Sequence, residues 1–182
     1  MEYLHYSDTP IITFIDGVKQ ENLMKPTGLW LSEGSQWQDW CDSEGFATCN
    51  MNNCYIYSAS INKDRLFVIS SLDVLNTLHE KYEKKNKFFA NGYIDWKEVA
   101  NDYDGICFEN YYEVKKDYFT NSSDFGKTWF LAVDVSGACI WNPSSVVSEW
   151  KMTREGVHRE VRAPKFNPIF NKDFIEMTTE VA

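Results

Sequence analysis

The order of the apolar segments is the feature that most restricts the fold of this chain. Short runs of β-branched and aromatic residues recur along the sequence and are separated by turn residues. Two segments in the middle, 72–84 and 95–103, have apolar residues at helical spacing instead. Because strands and helices do not alternate as βαβ units, a doubly wound sheet is disfavoured. The pattern predicts an α+β domain with strands over 3–7, 11–15, 29–32, 53–61, 65–70, 105–108, 129–135 and 138–141.

The segments between these elements carry weaker signals. Ser71 is positioned to cap the helix that begins at residue 72. In 36–42 two tryptophans are spaced i and i+3, which places them on one face of a helical turn. The remaining connections are predicted to be a hairpin-like turn at 62–64, a charged link at 84–87 and a loop-rich polar and aromatic segment at 109–125.

The charge balance limits the classes of partner. The net charge is −9 and the pI is about 4.8, which argues against tight non-specific binding of DNA or RNA. The last part of the chain is locally basic, which predicts a domain over 1–148 and a basic segment over 149–182 that packs on it or extends from it. The basic residues of that segment are Lys151, Arg154, Arg159, Arg162 and Lys165.

Cysteine usage and hydropathy bear on the compartment. No run of eighteen apolar residues is present, and the first residues show no leader pattern, so no contact with a membrane is expected. The five cysteines are an odd number, which predicts reduced thiols in the cytoplasm, a host cytoplasm included. Cys41, Cys49 and Cys54 lack a C-x-x-C spacing and have no neighbouring histidine, so no metal site is expected.

The stretch 26–41 concentrates rigid aromatic surface beside a polar, glycine-containing loop. Trp30, Trp37 and Trp40 all fall within it. Such a cluster either builds a core wall or binds something flat.

Four motifs occur in a familiar order. Together they resemble the ADP-ribosyltransferase superfamily, in particular its poly(ADP-ribose)-polymerase-like and bacterial-toxin-like branches. The resemblance covers roughly residues 3 to 145. The motifs are His5-Tyr6-Ser7, then Gly28-Leu29-Trp30-Leu31-Ser32 with Trp37 and Trp40 following, then Tyr103-Asp104-Gly105-Ile106, and finally Ala138-Cys139-Ile140-Trp141-Asn142-Pro143.

The resemblance implies both a fold and a reaction. The implied fold is a pair of split antiparallel β-sheets with two or more flanking helices. The implied substrate is NAD, from which ADP-ribose passes to a macromolecular acceptor, protein or nucleic acid, with release of nicotinamide. Cleavage of the nicotinamide–ribose bond passes through an oxocarbenium-like transition state, as in glycoside hydrolysis. Aromatic faces suit the planar, cationic nicotinamide because they offer stacking and cation–π attraction.

Individual roles follow from the resemblance. His5 would hydrogen-bond a ribose hydroxyl or the nicotinamide amide, and Trp30 would stack on the nicotinamide. Trp37 or Trp40 would form the second aromatic wall. The backbone of Gly28 would approach the amide closely, where a Cβ could obstruct it. The remaining positions that match the cofactor-binding motifs are Tyr6, Ser7, Leu29 and Ser32.

The catalytic acid is where the sequence departs from the family. Counting back from Asn142-Pro143 places the family's glutamate at Gly137, which has no carboxylate. Three alternatives stay open: the acid is Asp134, it is Asp104 or Asp102, or it is missing. Asp134 is the first choice, with capping of the turn at Ser136-Gly137 as its alternative role.

Two further functions therefore stay open beside the transferase. One is a catalytically inactive domain of the same type that binds a nucleotide or an ADP-ribosylated partner. The other is an acidic, aromatic-rich interaction protein, for instance viral, that masks a basic surface. The acidic balance favours a protein acceptor, whereas the basic segment after residue 149 leaves RNA or DNA open. The sequence does not indicate an oligomeric state.

Overall fold

The computed structural model describes residues 2–7, 17–21, 23–48, 55–86, 89–122, 126–146 and 151–152. The strands of these residues are β1 (Tyr3–Ser7), β2 (Leu29–Glu33), β3 (Tyr55–Ala59), β4 (Leu66–Ile69), β5 (Glu83–Asn86), β6 (Phe89–Ile94), β7 (Gly105–Phe108), β8 (Gly137–Ile140) and β9 (Lys151–Met152). The α-helices are α1 (Gln36–Glu44), α2 (Leu72–Tyr82), α3 (Trp96–Asp102), α4 (Tyr111–Asn121) and α5 (Thr128–Leu131), and short 3₁₀ turns lie at Lys63–Arg65 and Pro143–Ser145.

Seven strands form one mixed sheet in the order β4-β7-β8-β2-β1-β3-β9. The pair β4–β7 is parallel, and the other neighbours in this sheet are antiparallel. β5 and β6 form a separate two-stranded antiparallel sheet. The predicted combination of strands and helices is therefore confirmed, whereas the parallel β4–β7 pair makes the large sheet mixed and not antiparallel. In the sheet β8, β2 and β1 lie side by side, so residues distant in sequence become neighbours at its centre.

The large aromatic content mainly builds the core. Helices α2 to α5 contribute to one apolar cluster with strands β4, β7 and β8. Rings such as Trp96, Tyr111, Tyr118 and Phe130 are completely buried there. For most rings the structure thus favours core packing over stacking on a ligand.

The two helices predicted from apolar spacing are confirmed, with similar ends. The hydroxyl of Ser71 accepts a hydrogen bond from the backbone N–H of Val74 at 3.3 Å, as an N-cap does. Asp95 caps α3 in the same way through the N–H of Glu98. The predicted helical turn after β2 is also present and extends to nine residues as α1. None of the helices in the described ranges is long and apolar enough to cross a membrane.

The strand predicted over 129–135 is wrong. Trp129 and Phe130 lie instead in the short helix α5, and both side chains are buried. The Trp129 indole N–H donates to Nε2 of His79 at 2.8 Å. A short run of mostly apolar residues has no periodicity that separates a strand from a helix, which explains the error.

Three predicted connections are also wrong. The segment 109–125 contains helix α4. Its buried residues Tyr111, Val114 and Tyr118 follow helical spacing, but two of the three are tyrosines. The link 84–87 overlaps strand β5. The turn at 62–64 is not a hairpin, because β3 pairs with β1 and β9 whereas β4 pairs with β7.

Two predictions lie largely outside the described residues. They are the strand at 11–15 and the basic segment 149–182, of which only β9 is described. β9 pairs with β3 at the edge of the large sheet, opposite Tyr57 and Ser58.

Candidate functional site

A cavity of about 290 Å³ lies where β1, β2 and β8 meet α1 and the segment after α5. Most of the sequence-predicted site residues line it: His5, Tyr6, Trp30, Ser32, Trp37 and Asp134. Its other lining residues are Leu4, Lys25, Leu31, Thr48, Phe108, Val133, Val135, Gly137 and Ala138. The wall is therefore mainly apolar and carries a few polar groups, which is typical of small-molecule sites.

His5 is held in one orientation by the neighbouring strand. Its Nδ1–H donates to the carbonyl oxygen of Trp30 at 2.7 Å, across the β1–β2 pair. Burial lowers the pKa of His5, opposed in part by this backbone hydrogen bond. The imidazole is consequently neutral at pH 7, with Nε2 as its acceptor nitrogen.

Trp30 has two close neighbours of different kinds. Its ring stacks with that of Phe108 at a centroid distance of 6.1 Å and an interplanar angle of 8°. The ammonium of Lys25 lies 5.5 Å from the Trp30 ring centroid and donates to the Ala132 carbonyl at 2.8 Å. A cationic ligand ring that used the same face of Trp30 would meet this ammonium.

Two tryptophans follow β2 in the sequence, and Trp37 is the one that can contact a ligand in the cavity. It lines the cavity, whereas Trp40 does not and stacks on Trp37 at 5.1 Å with an angle of 16°. Trp40 in turn stacks on Phe46 at 5.5 Å. The structure therefore assigns the cavity wall to Trp37 and its support to Trp40.

Asp134 occupies a strained backbone position at the cavity. Its φ is +74°, which is uncommon for a residue other than glycine. The N–H of Val135 donates to the Val133 carbonyl at 3.0 Å, closing a tight turn around it. Strained turns of this kind cost about 1–3 kcal/mol and cluster at functional sites.

The electrostatics around Asp134 are mixed. Burial raises its pKa, the charges of Lys25 and Lys115 lower it, and that of Glu44 raises it. The turn-capping role is not supported at Ser136, because its backbone N–H donates to Oε1 of Gln36 at 3.1 Å. Asp134 is thus a half-buried carboxylate that faces two ammonium groups beside the cavity.

Gly137 lines the same cavity but has no room for a side chain. A Cβ at this position would lie 2.1 Å from the carbonyl oxygen of Leu31 on β2. Real Cβ atoms do not approach a backbone oxygen so closely, so the glycine is required by the β2–β8 packing. A glutamate could occupy this position only if the strands moved apart.

Gly28 is also required by packing. A Cβ there would lie 2.5 Å from the Ile140 carbonyl oxygen, so its close approach is to β8. Neither Gly28 nor Leu29 is among the residues that line the cavity, and the same holds for Ser7, which pairs with Tyr55. Ser32 does line it, and its hydroxyl donates to the Gly34 carbonyl at 3.0 Å.

Asp104 lies away from the cavity, in a hydrogen-bond network that joins the ends of β4, β7 and β8. Its carboxylate accepts bonds from Arg65 at 3.1 Å, Asn142 at 3.2 Å and Ser144 at 3.0 Å. The Arg65 guanidinium holds the pKa of the Asp104 carboxyl below its ordinary value. Asp102 lies on the surface, where it pairs with Lys81 at 2.8 Å.

Replacing Asp104 with alanine is expected to lower the free energy of unfolding by about 2 kcal/mol at pH 7, because the hydrogen bonds to its buried carboxylate are lost and the buried Ser145 hydroxyl loses an acceptor. Its folded pKa is depressed, so the stabilisation exists above the unfolded pKa and is lost as pH falls through the folded one. The difference in the free energy of unfolding between the wild type and Asp104→Ala should therefore narrow below about pH 4. Denaturant unfolding across pH measures this. Asp102→Ala is the control, and an equal loss there would contradict the role of the network.

The sequence missed several lining residues. Lys25 directly precedes the turn at Pro26 to Gly28, and a lysine next to a predicted binding strand is the signal that could have identified it. Phe108 ends β7, two residues after the motif 103–106. No feature of the sequence indicates that Thr48 lines the cavity. No three histidine, cysteine or acidic side chains of the described residues lie close enough together to hold a metal ion.

Comparison with known proteins does not assign this arrangement. No protein-family model, no curated protein and no solved structure matches the chain.

Proposed function

We propose that this protein is an NAD-dependent ADP-ribosyltransferase with an ADP-ribosyltransferase-like fold. The observation that carries the proposal is the convergence of His5, Trp30, Trp37 and Asp134 on one cavity. These residues come from distant parts of the chain. His5, Trp30 and Trp37 belong to the motif order, and Asp134 is the first choice for the acid that the motif position Gly137 lacks. The motif positions 28–32, 104–106 and 138–143 also fall on the adjacent strands β2, β7 and β8 or at their ends.

The cavity suits one end of a dinucleotide. A volume of about 290 Å³ is at the lower limit for sites that enclose a whole drug-sized ligand. The nicotinamide and its ribose are the parts that react, and they would occupy this space. The pyrophosphate and adenosine would then extend past the cavity mouth.

Each polar group has a chemical task in this proposal. Nε2 of His5 accepts a hydrogen bond from a ribose hydroxyl or from the nicotinamide amide, which fixes the orientation of the sugar. Trp37 stacks on the nicotinamide ring, and Trp40 keeps Trp37 in place. Lys25 and Lys115 balance the charge of Asp134 in the free protein.

Asp134 acts on the reacting carbon. As the bond between C1′ of the ribose and the ring nitrogen breaks, its electron pair stays on the nitrogen and neutral nicotinamide leaves. The carboxylate of Asp134 stabilises the positive charge that develops on the ribose. The acceptor then forms a bond to C1′ and gives its proton to the carboxylate, which passes it to water.

The experiment uses NAD labelled in its adenylate part and the full chain with a cell lysate. Label that becomes protease-sensitive or nuclease-sensitive identifies a protein or nucleic acid acceptor, and nicotinamide release is measured in parallel. His5→Ala should abolish both signals because it removes the hydrogen bond to the substrate, and Trp30→Ala should do so because it removes the cavity wall that packs on Phe108. If the wild-type chain transfers no label, releases no nicotinamide and shows no change in melting temperature with NAD, the proposal is wrong.

Trp37→Leu is expected to weaken NAD binding about five- to tenfold, since one aromatic stacking contact contributes about 0.5–1.5 kcal/mol beyond its buried area. The reason is that Trp37 lines the cavity, whereas Trp40 stands behind it. Isothermal titration with NAD measures the change, and Trp40→Leu is the matched control with a smaller expected loss. A larger loss of NAD affinity for Trp40→Leu than for Trp37→Leu would show that Trp37 is not the residue that stacks on the nicotinamide.

A second candidate is a catalytically inactive domain that binds NAD or a related nucleotide. The observation that favours it is Gly137, which occupies the position of the family's glutamate and cannot carry a side chain. NAD binding without nicotinamide release, unchanged in Asp134→Asn, would support this candidate over the transferase.

A further inference from the structure

A ladder of three stacked rings, Trp37, Trp40 and Phe46, leads from the cavity to the protein surface. Trp37 lines the cavity, Trp40 stacks on it, and Phe46 stacks on Trp40 at an interplanar angle of 3°. Gly45 ends α1 in the left-handed conformation (φ 72°), which turns the chain so that the Phe46 N–H bonds the Cys41 carbonyl. The outermost ring, Phe46, is 61% exposed. The ladder therefore presents an exposed aromatic face beside α1.

A fourth aromatic side chain, Tyr112 on α4, lies close to the same surface and is 50% exposed. Burial raises its pKa, and the charges of Asp134, Asp39 and Glu44 raise it further. Tyr112 therefore lies within electrostatic range of both the cavity carboxylate and the acidic residues of α1. The ladder, Tyr112 and the cavity thus belong to one continuous region.

The part of this region that α1 forms is negative, whereas Lys25 and Lys115 lie on the side of Asp134. Helix α1 carries Asp39, Asp42 and Glu44 and has no basic residue in its last turn. The ion pairs among the described residues lie elsewhere, so no lysine or arginine of those residues is within ion-pair distance of the three carboxylates. The last turn of a helix already carries partial negative charge, and acidic residues there are unfavourable without a cation.

We propose that this aromatic and acidic surface, formed by Trp40, Phe46, Asp39, Asp42 and Glu44, docks an arginine- or lysine-rich polypeptide segment. Guanidinium and ammonium groups stack on exposed aromatic faces and pair with carboxylates, so both features of the surface serve the same ligand. The docked segment would lie next to the cavity mouth. This deepens the proposed function, on which it rests, by naming the acceptor as a basic protein.

The same surface disfavours a nucleic acid. A base could stack on the outermost ring, Phe46, but the phosphates beside it would meet three carboxylates. Nucleic-acid sites need lysine and arginine around the stacking rings, and α1 has none.

The test measures docking alone, without NAD. A short fluorescein-labelled peptide of alternating arginine and glycine is titrated with the full chain, and fluorescence anisotropy reports binding. Binding should be saturable and should weaken strongly between low salt and about 0.5 M salt, because the charges are exposed. A glutamate–glycine peptide and a single-stranded DNA oligonucleotide should bind at least about tenfold more weakly at the same salt concentration.

Variants separate this surface from the general acidity of the chain. The double variant Asp42→Asn/Glu44→Gln should weaken peptide binding about three- to tenfold, and Phe46→Ser about two- to fivefold. The matched control is Asp73→Asn/Glu80→Gln, which removes the same two charges from exposed positions on α2 and should change binding less than twofold. Circular dichroism verifies that each variant is folded.

Three outcomes would overturn the inference: no peptide binding, equal loss in the α1 and α2 double variants, or tighter binding of the DNA oligonucleotide. These outcomes are independent of catalysis, since NAD is absent. Peptide binding by a protein that releases no nicotinamide would leave the docking surface standing and remove the transferase. Nicotinamide release without peptide binding would support the transferase and overturn the docking surface.

Discussion

Asp134→Asn is expected to reduce nicotinamide release from NAD about 100- to 1,000-fold, the loss typical of removing one group that stabilises transition-state charge. NAD binding should change little, because the hydrogen bond of His5 and the stacking surface of Trp37 remain. The backbone should also remain in place, since asparagine tolerates a φ of +74° at least as well as aspartate. Steady-state nicotinamide release with NAD titration separates the two effects, and Asp64→Asn on the exposed turn before β4 is the control.

The pH dependence of Asp134 gives an independent measurement. Burial raises its folded pKa above the ordinary 3.8, so the protein binds this proton more tightly when folded. Its stabilisation is complete below the unfolded pKa and is lost as pH rises through the folded pKa. Asp134→Asn should therefore make the protein more stable than the wild type at pH 7, with a difference that disappears as pH falls toward 3.8. Wild-type activity should fall on acidification at a pH above that value.

These results distinguish a working carboxylate from a structural one. A side chain that caps a turn would lose stability on replacement and leave the reaction nearly unchanged. A gain in stability at pH 7 together with a large loss of activity is the pattern expected where burial of a charge serves function. If Asp134→Asn retains full nicotinamide release, the acid has to be sought elsewhere.

The motif order selects residues that the structure brings to one cavity. His5, Trp30 and Trp37 were chosen from motif order, and pairing of β1 with β2 does bring the first two together. Motif order is informative here because strand order determines which residues become neighbours. The choice between Trp37 and Trp40 needed the structure, since both lie on one short helix and only the stacking order separates them.

The secondary-structure predictions that are wrong share a physical cause. Trp129 and Phe130 belong to a short run of mostly apolar residues, so the polarity pattern of the run contains no period. Tyr111 and Tyr118 are core residues with polar hydroxyls. Because of these polar groups, the sequence predicted a loop where α4 lies. The packing restriction at Gly137 was equally invisible, because it depends on the carbonyl of a residue more than a hundred positions earlier in the chain.

Gly137→Ala is expected to lower the free energy of unfolding by at least about 3 kcal/mol, at the upper end of the cost of overpacking a core. The added Cβ would lie 2.1 Å from the Leu31 carbonyl oxygen, and a backbone atom cannot rotate away as a side chain can. Denaturant unfolding measures the loss. Gly34→Asn is the control, because Gly34 has open space around its Cβ position and asparagine tolerates its φ of +52°.

The same geometry predicts that Gly137→Glu cannot supply the missing acid. Placing the family's glutamate at this position should destabilise the protein at least as much as alanine does, and it should not rescue nicotinamide release in the Asp134→Asn background. Rescue in a folded double variant would show that β2 and β8 can separate to admit the side chain. That result would assign the family's ordinary acid position to this cavity and remove the need for Asp134. Without rescue, the close contact between β8 and the Leu31 carbonyl explains why a carboxylate in this cavity has to come from the turn before the strand.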